Sequence, residues 1–166
     1  MADQVSTSFT ASQIAQDIPR LIERMHRRFL DVLRIELTRS GINDISPVQA
    51  MMLANIGEEE ISVRDLIERG YYLGSNASYN LKNLVEGGYV DRQASERDRR
   101  SARLKLSAKG KTILETLAKL NIQMAEHLLK ADTAHEFETA HKVLRRLEHR
   151  WSDSIRFSGA ASEENF

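Results

Sequence analysis

The chain has 166 residues, 41% of them hydrophobic and 29% charged, which is the composition of a globular domain of ordinary size rather than of a disordered segment. It has no cysteine, so disulfide frameworks, thiol redox sensing and cysteine zinc sites are excluded. Its 24 Lys and Arg balance 24 Asp and Glu, so any attraction for an anionic polymer has to come from a local cluster.

No run approaches the roughly 18 apolar residues of a membrane span, and the first ten residues lack the basic region and apolar core of a signal peptide. A cytoplasmic protein with no membrane role is expected. Residues 1–11 and 158–166 are small and polar, with the composition of flexible tails. From Ser12 to Ser40, Ile18, Leu21, Ile22, Met25, Phe29, Val32 and Leu33 recur at helical steps, predicting a long first helix that stops at Gly41. Pro19 is placed near its start or at a kink.

Ser46-Pro47-Val48-Gln49 reads as a helix start: capping serine, proline at the first position and glutamine at the third. This second helix runs to about Ile56 and stops at Gly57. Ser62 is expected to cap a short third helix carrying Val63, Leu66 and Ile67 and ending at Gly70. After the aromatic turn Tyr71-Tyr72-Leu73-Gly74, Ser75 opens a fourth helix closed by Gly87-Gly88. Tyr89 to Gln93 and Ala102 to Leu106 are two short strand-like segments, the second with Leu104 and Leu106 alternating with Arg103 and Lys105, and together they predict a hairpin. Ser107 caps a fifth helix striped with Ile113, Leu117, Leu120, Met124 and Leu128, and Thr133 to Glu136 has the capping-box pattern of a sixth.

The expected fold is therefore mainly α with a small β-hairpin wing: a winged helix-turn-helix core at 42–106, with helical dimerisation segments at 12–40 and 107–157. Long amphipathic helices at both ends cannot all cover one small winged domain, which favours a homodimer over a monomeric bundle.

At about 100° per residue, Ala77, Leu81, Leu84 and Val85 share one side of the fourth helix. Ser75, Tyr79, Lys82 and Asn83 lie opposite, flanked by Asn76 and Ser78. Hydroxyl, amide and amine groups on one helix face suit phosphates and base edges, although a merely solvated face has the same composition. The hairpin adds a charge argument, because Arg97, Arg99, Arg100 and Arg103 crowd one loop that gains from an anion. Asp98 stands two residues before Arg100, close enough to hold that guanidinium for entry into a minor groove.

Glu96-Arg97-Asp98-Arg99-Arg100-Ser101, followed by Leu104, Leu106, Ser107 and Lys109-Gly110, resembles the wing of the MarR family and the lead into its fifth helix. Leu84 to Arg92 resembles the family's end of recognition helix and first wing strand. The resemblance implies a regulator that dimerises through its terminal helices, usually represses, and releases double-stranded DNA when a small aromatic or phenolic effector binds. By position, Arg100 becomes the minor-groove arginine and Asp98 its holder. Two departures stand out: Ser107 where the family has threonine, and the aromatic turn before the fourth helix. The effector site is expected where the first two helices meet, at Met25, Arg28, Phe29, Ser46, Met51 and Met52, residue types that otherwise make ordinary core.

No nucleophile turn or glycine-rich phosphate loop marks an enzyme, and no cofactor is expected. A metal-responsive regulator of the same fold is the alternative, on His135, Glu138 and His141, but their spacing lacks the i, i+4 pair of a helical zinc site, and no metal is expected. A helical protein-interaction module without DNA binding is the other alternative.

Overall fold

The computed structural model describes residues 10–70, 72, 74–94, 102–128 and 133–163. The order is α1 (Ala11–Arg39), α2 (Pro47–Ile56), β1 (Ile61–Ser62), α3 (Val63–Gly70), α4 (Gly74–Glu86), β2 (Val90–Ala94), β3 (Ala102–Leu106), α5 (Ala108–Leu128) and α6 (Ala134–Glu163). By packing the chain divides into two compact units, one ending at Leu120 and the other beginning at Asn121. The first unit thus holds α1 and the start of α5 together with the 42–106 segment.

Helix α1 begins at a capping box of Thr10 with Gln13 rather than at Ser12. Pro19 therefore lies well inside it. Its missing N–H leaves the Ala15 carbonyl without a helical donor, tolerable because both residues face solvent. The helix stops in a Schellman motif, with Gly41 at φ 75° and the Ile42 amide donating to the Leu37 carbonyl. Helix α2 starts as its sequence demands, Ser46 and Gln49 capping each other across Pro47. It is apolar on nearly every side, and it is the central element, touching α1, α3, α4 and β3. Ala50, Met52, Leu53 and Ile56 are all buried there.

The sheet has three strands in the order β1-β3-β2, not a hairpin alone. Ile61 pairs with Leu104 and Ser62 with Arg103, so β1 covers the free edge of β3 just before α3 begins. Across the other edge Val90 faces Leu106, and Arg92 faces Leu104. Leu104 and Leu106 point into the core while Lys105 faces solvent, the alternation expected of a one-sided sheet. In the second unit, α6 continues through Glu163, past Ser158 where composition predicts a tail. Ala160, Ala161 and Glu163 are good helix formers, which carries the helix across Gly159. No helix among the described residues is long and apolar enough to cross a membrane.

Candidate nucleic-acid interface

Helix α3 starts where the Ser62 hydroxyl accepts from the Asp65 amide. Between α3 and α4 the chain turns over Tyr72, whose amide bonds the Ile67 carbonyl and whose hydroxyl accepts from the Asn55 side chain at 2.7 Å. Arg69 donates to the Asn55 carbonyl at 2.9 Å, so Asn55 of α2, Arg69 of α3 and Tyr72 share one polar knot. Burial raises the Tyr72 phenol above its usual pKa, the Asn55 contact opposing this in part. Gly70 lies under the Tyr72 ring, where a β-carbon would come within 2.0 Å of it. Tyr72 is thus folded down onto the helix pair, and α4 begins at Gly74, one residue ahead of Ser75.

Ala77, Leu81 and Leu84 are buried and Val85 is half-buried, which turns Ser75, Asn76, Ser78, Tyr79 and Lys82 outward. Tyr79 is 66% exposed, far more than a tyrosine needs for its hydroxyl alone to reach water. Among the described residues Lys82 pairs with Glu86, at 3.7 Å and one turn away, an exposed pair that a phosphate can displace at little cost. Asn83, expected on the same face, is half-buried at its margin. Four of the wing's predicted site residues, Arg97, Asp98, Arg99 and Arg100, lie outside the described residues. At the wing's root, Arg64, Arg92 and Arg103 line a groove of about 560 Å³ with Ser62 and Asp65, Arg103 also meeting Glu60 at 3.6 Å.

The end of α4 carries contacts that no local sequence pattern announces. Gly88 at φ 72° closes the helix, its amide donating to the Val85 carbonyl and that of Tyr89 to the Leu84 carbonyl. Tyr89 is buried, and its hydroxyl donates to Asp44. Lys109 bonds the other Asp44 oxygen at 2.8 Å, reaches the Gly87 carbonyl at 3.0 Å and sits 4.0 Å from the Tyr89 ring centre. The Lys109 bond, then the Tyr89 bond, hold the Asp44 carboxyl below the usual carboxylate range. The phenol is pushed up, first by burial and then by Asp44, so the shared proton stays on Tyr89. Lys109-Gly110 signals this contact only in part, since Asp44 lies 65 positions away in a loop.

The residues expected at the effector site do not share one environment. Met52 is sealed in the core. Ser46 is engaged in capping α2. Phe29 and Met51 are half-buried, whereas Met25 and Arg28 are exposed on α1. His135, Glu138 and His141 are exposed on α6, and among the described residues no three His, Asp or Glu side chains converge.

The family model described as MarR family matches residues 43–101. The exopolysaccharide II synthesis transcriptional activator ExpG of Rhizobium meliloti (strain 1021) is 46% identical over 142 residues, covering 85% of this chain and 73% of its own. The chain belongs to the MarR family. Two solved structures share its fold. Streptococcus pneumoniae FabT, crystallised in complex with DNA, has a TM-score of 0.71 at 24% identity, covering 84% of this chain and 98% of its own. The transcriptional regulator SlyA has a TM-score of 0.74 at 20% identity, covering 85% and 98%. As a MarR-family protein the chain is a transcriptional regulator with a DNA-binding winged helix-turn-helix, and the relatives it resembles are regulators rather than enzymes.

Proposed function

We propose that this MarR-family regulator binds a pseudo-palindromic double-stranded operator as a homodimer, with α4 in the major groove and the wing in the adjacent minor groove. The observation that carries this is the outward face of α4, where Ser75, Asn76, Ser78, Tyr79 and Lys82 stand exposed over a buried Ala77-Leu81-Leu84 stripe. Asn83 completes the face from its edge. Arg97, Asp98, Arg99 and Arg100 complete the surface from the wing, Arg100 entering the minor groove and Asp98 aiming it. The 46% identity to a protein named as an activator supports activation as the sense of control, rather than the repression the resemblance implies.

The regulator works in the cytoplasm and responds to a small aromatic acid at the α1–α2 junction, where Met25, Arg28, Phe29 and Met51 keep accessible surface. Such a ligand lowers DNA affinity only by preferring the DNA-incompetent arrangement, about 1.4 kcal/mol of coupling for each tenfold loss. Selection from a random duplex library at fixed salt tests the core of the reading. Recovery of an inverted repeat with half-site centres one helical turn, about 34 Å, apart is expected. A library that shows no enrichment overturns it.

A further inference from the structure

Three consecutive carbonyls at the end of α4 accept from three donors at the start of α5. The Gly87 carbonyl takes the Lys109 ammonium at 3.0 Å, the Gly88 carbonyl the Ser107 hydroxyl at 2.7 Å, and the Tyr89 carbonyl the Ser107 amide at 3.1 Å. Gly87, Gly88 and Tyr89 follow the last helical residue, Glu86, so the donors from α5 meet carbonyls just beyond the helix end, near the negative end of its dipole. Gly110 allows the approach: a β-carbon there would lie 2.3 Å from the Tyr89 oxygen. Asp44 then ties the same ammonium and the Tyr89 hydroxyl to the loop that leads into α2.

We propose that Ser107, Lys109 and Asp44 form a clamp that locks the C-terminus of α4 to the first turn of α5 and so sets the tilt at which α4 is presented to DNA. They are positioning residues and touch no DNA. The inference rests on α4 being the helix that reads DNA. Its physical basis is leverage, because α4 is held at the end away from its exposed Ser75-to-Ser78 segment. A small rotation at Gly87 to Tyr89 moves that segment and Tyr79 the most. A dimer with loosened clamps has two recognition helices of less certain separation, and it loses discrimination between operator spacings before it loses affinity.

The test uses the full chain and the duplex recovered by selection, together with the same duplex carrying one base pair inserted or removed between half-sites. Lys109→Met keeps an unbranched side chain of similar length and removes the ammonium that donates to Asp44 and Gly87 and lies over the Tyr89 ring. Its preference for the native spacing is expected to fall about fivefold, the size of effect that exposed charge-assisted contacts support. The salt dependence of binding is expected to stay as in the wild type, the thermal midpoint to fall only by the small cost of losing one exposed ion pair, and Lys109→Arg is expected to restore the preference. A purely structural role would also lower the midpoint but would weaken all spacings alike. Unchanged spacing preference in folded Lys109→Met overturns the clamp. So does a salt slope reduced by about one, which makes Lys109 a phosphate contact. If Lys109→Met does not fold, Asp44→Asn, isosteric at an exposed position, is read the same way. A wild-type chain that enriches no DNA removes the assignment of α4 itself, and the clamp with it.

Discussion

At Gly110 the arithmetic of a single methyl group runs two ways. Alanine gains about 1 kcal/mol over glycine inside a helix. Its β-carbon, however, meets a backbone oxygen at 2.3 Å, and that oxygen is fixed by the Ser107 amide, so relief requires parting β2 from α5. Overpacking of this kind costs about 1–3 kcal/mol. Gly110→Ala is therefore expected to destabilise by about 1 kcal/mol, read as a lower urea midpoint at unchanged slope. Asp44 allows a pH test. Its carboxyl titrates below the usual range in the folded chain, first through Lys109 and then through Tyr89. A lowered folded value means stability that is present above the unfolded pKa, about 3.9, and is lost as pH falls through the folded one. Wild type is expected to exceed Asp44→Asn in urea midpoint at pH 7, and the two are expected to converge as the solution is acidified below the carboxylate range. A gap that persists in acid means that the Asp44 charge is not what holds the loop.

Among the elements, legibility follows the range of the signal. Ser46, Pro47 and Gln49 announce α2 within four residues, and Gly57 and Gly88 close helices because they take positive φ where other residues are strained. Strand β1 is two residues long and shows no alternation, so its pairing with Leu104 has no trace in the chain itself. The face of α4 was legible because one helical period sorts Ala77, Leu81 and Leu84 from Tyr79 and Lys82. The clamp was not, since its Asp44–Lys109 contact joins residues whose local patterns are silent about each other. The exposure of Tyr79 and Lys82 predicts that Tyr79→Ala and Lys82→Ala leave the folding free energy within about 0.5 kcal/mol of wild type. Against operator DNA, Lys82→Ala is expected to weaken binding to all sequences and reduce the salt slope by about one. Tyr79→Ala is expected to relax selection at one base position by about tenfold. If both variants retain wild-type affinity and the same selected site, α4 does not read DNA through this face.

For the whole molecule, a formal net charge of zero provides no general attraction for DNA, so affinity has to come from arranged contacts, which the proposed homodimer would repeat in two half-sites. The apolar surface supplies the means of repetition. On α1, Ile14, Leu21, Met25, Val32 and Ile35 are exposed at steps of three, four and seven, the spacing of a helix seam that lacks its partner. On α6, Phe137, Leu144, Trp151 and Ile155 are exposed as well, Ile155 at 68%. Scattered leucines need no explanation, but two long helices with large apolar groups recurring at helical spacing do. A second copy of the chain is expected to supply the complementary surface, since self-association through one shared patch is the commonest way such a face is covered. Sedimentation at micromolar concentration is expected to give twice the chain mass, with a thermal midpoint that falls on dilution. Leu21→Glu combined with Val32→Glu places two charges on the α1 seam, away from α4 and the clamp, and is expected to yield a folded or partly destabilised monomer. Because the second half-site is then no longer bound as an intramolecular event, operator affinity is expected to drop by about a hundredfold or more, while binding to a single half-site changes little. A wild-type chain that sediments as a monomer with a concentration-independent midpoint, or a double variant that stays dimeric, shows that these helix faces serve another purpose.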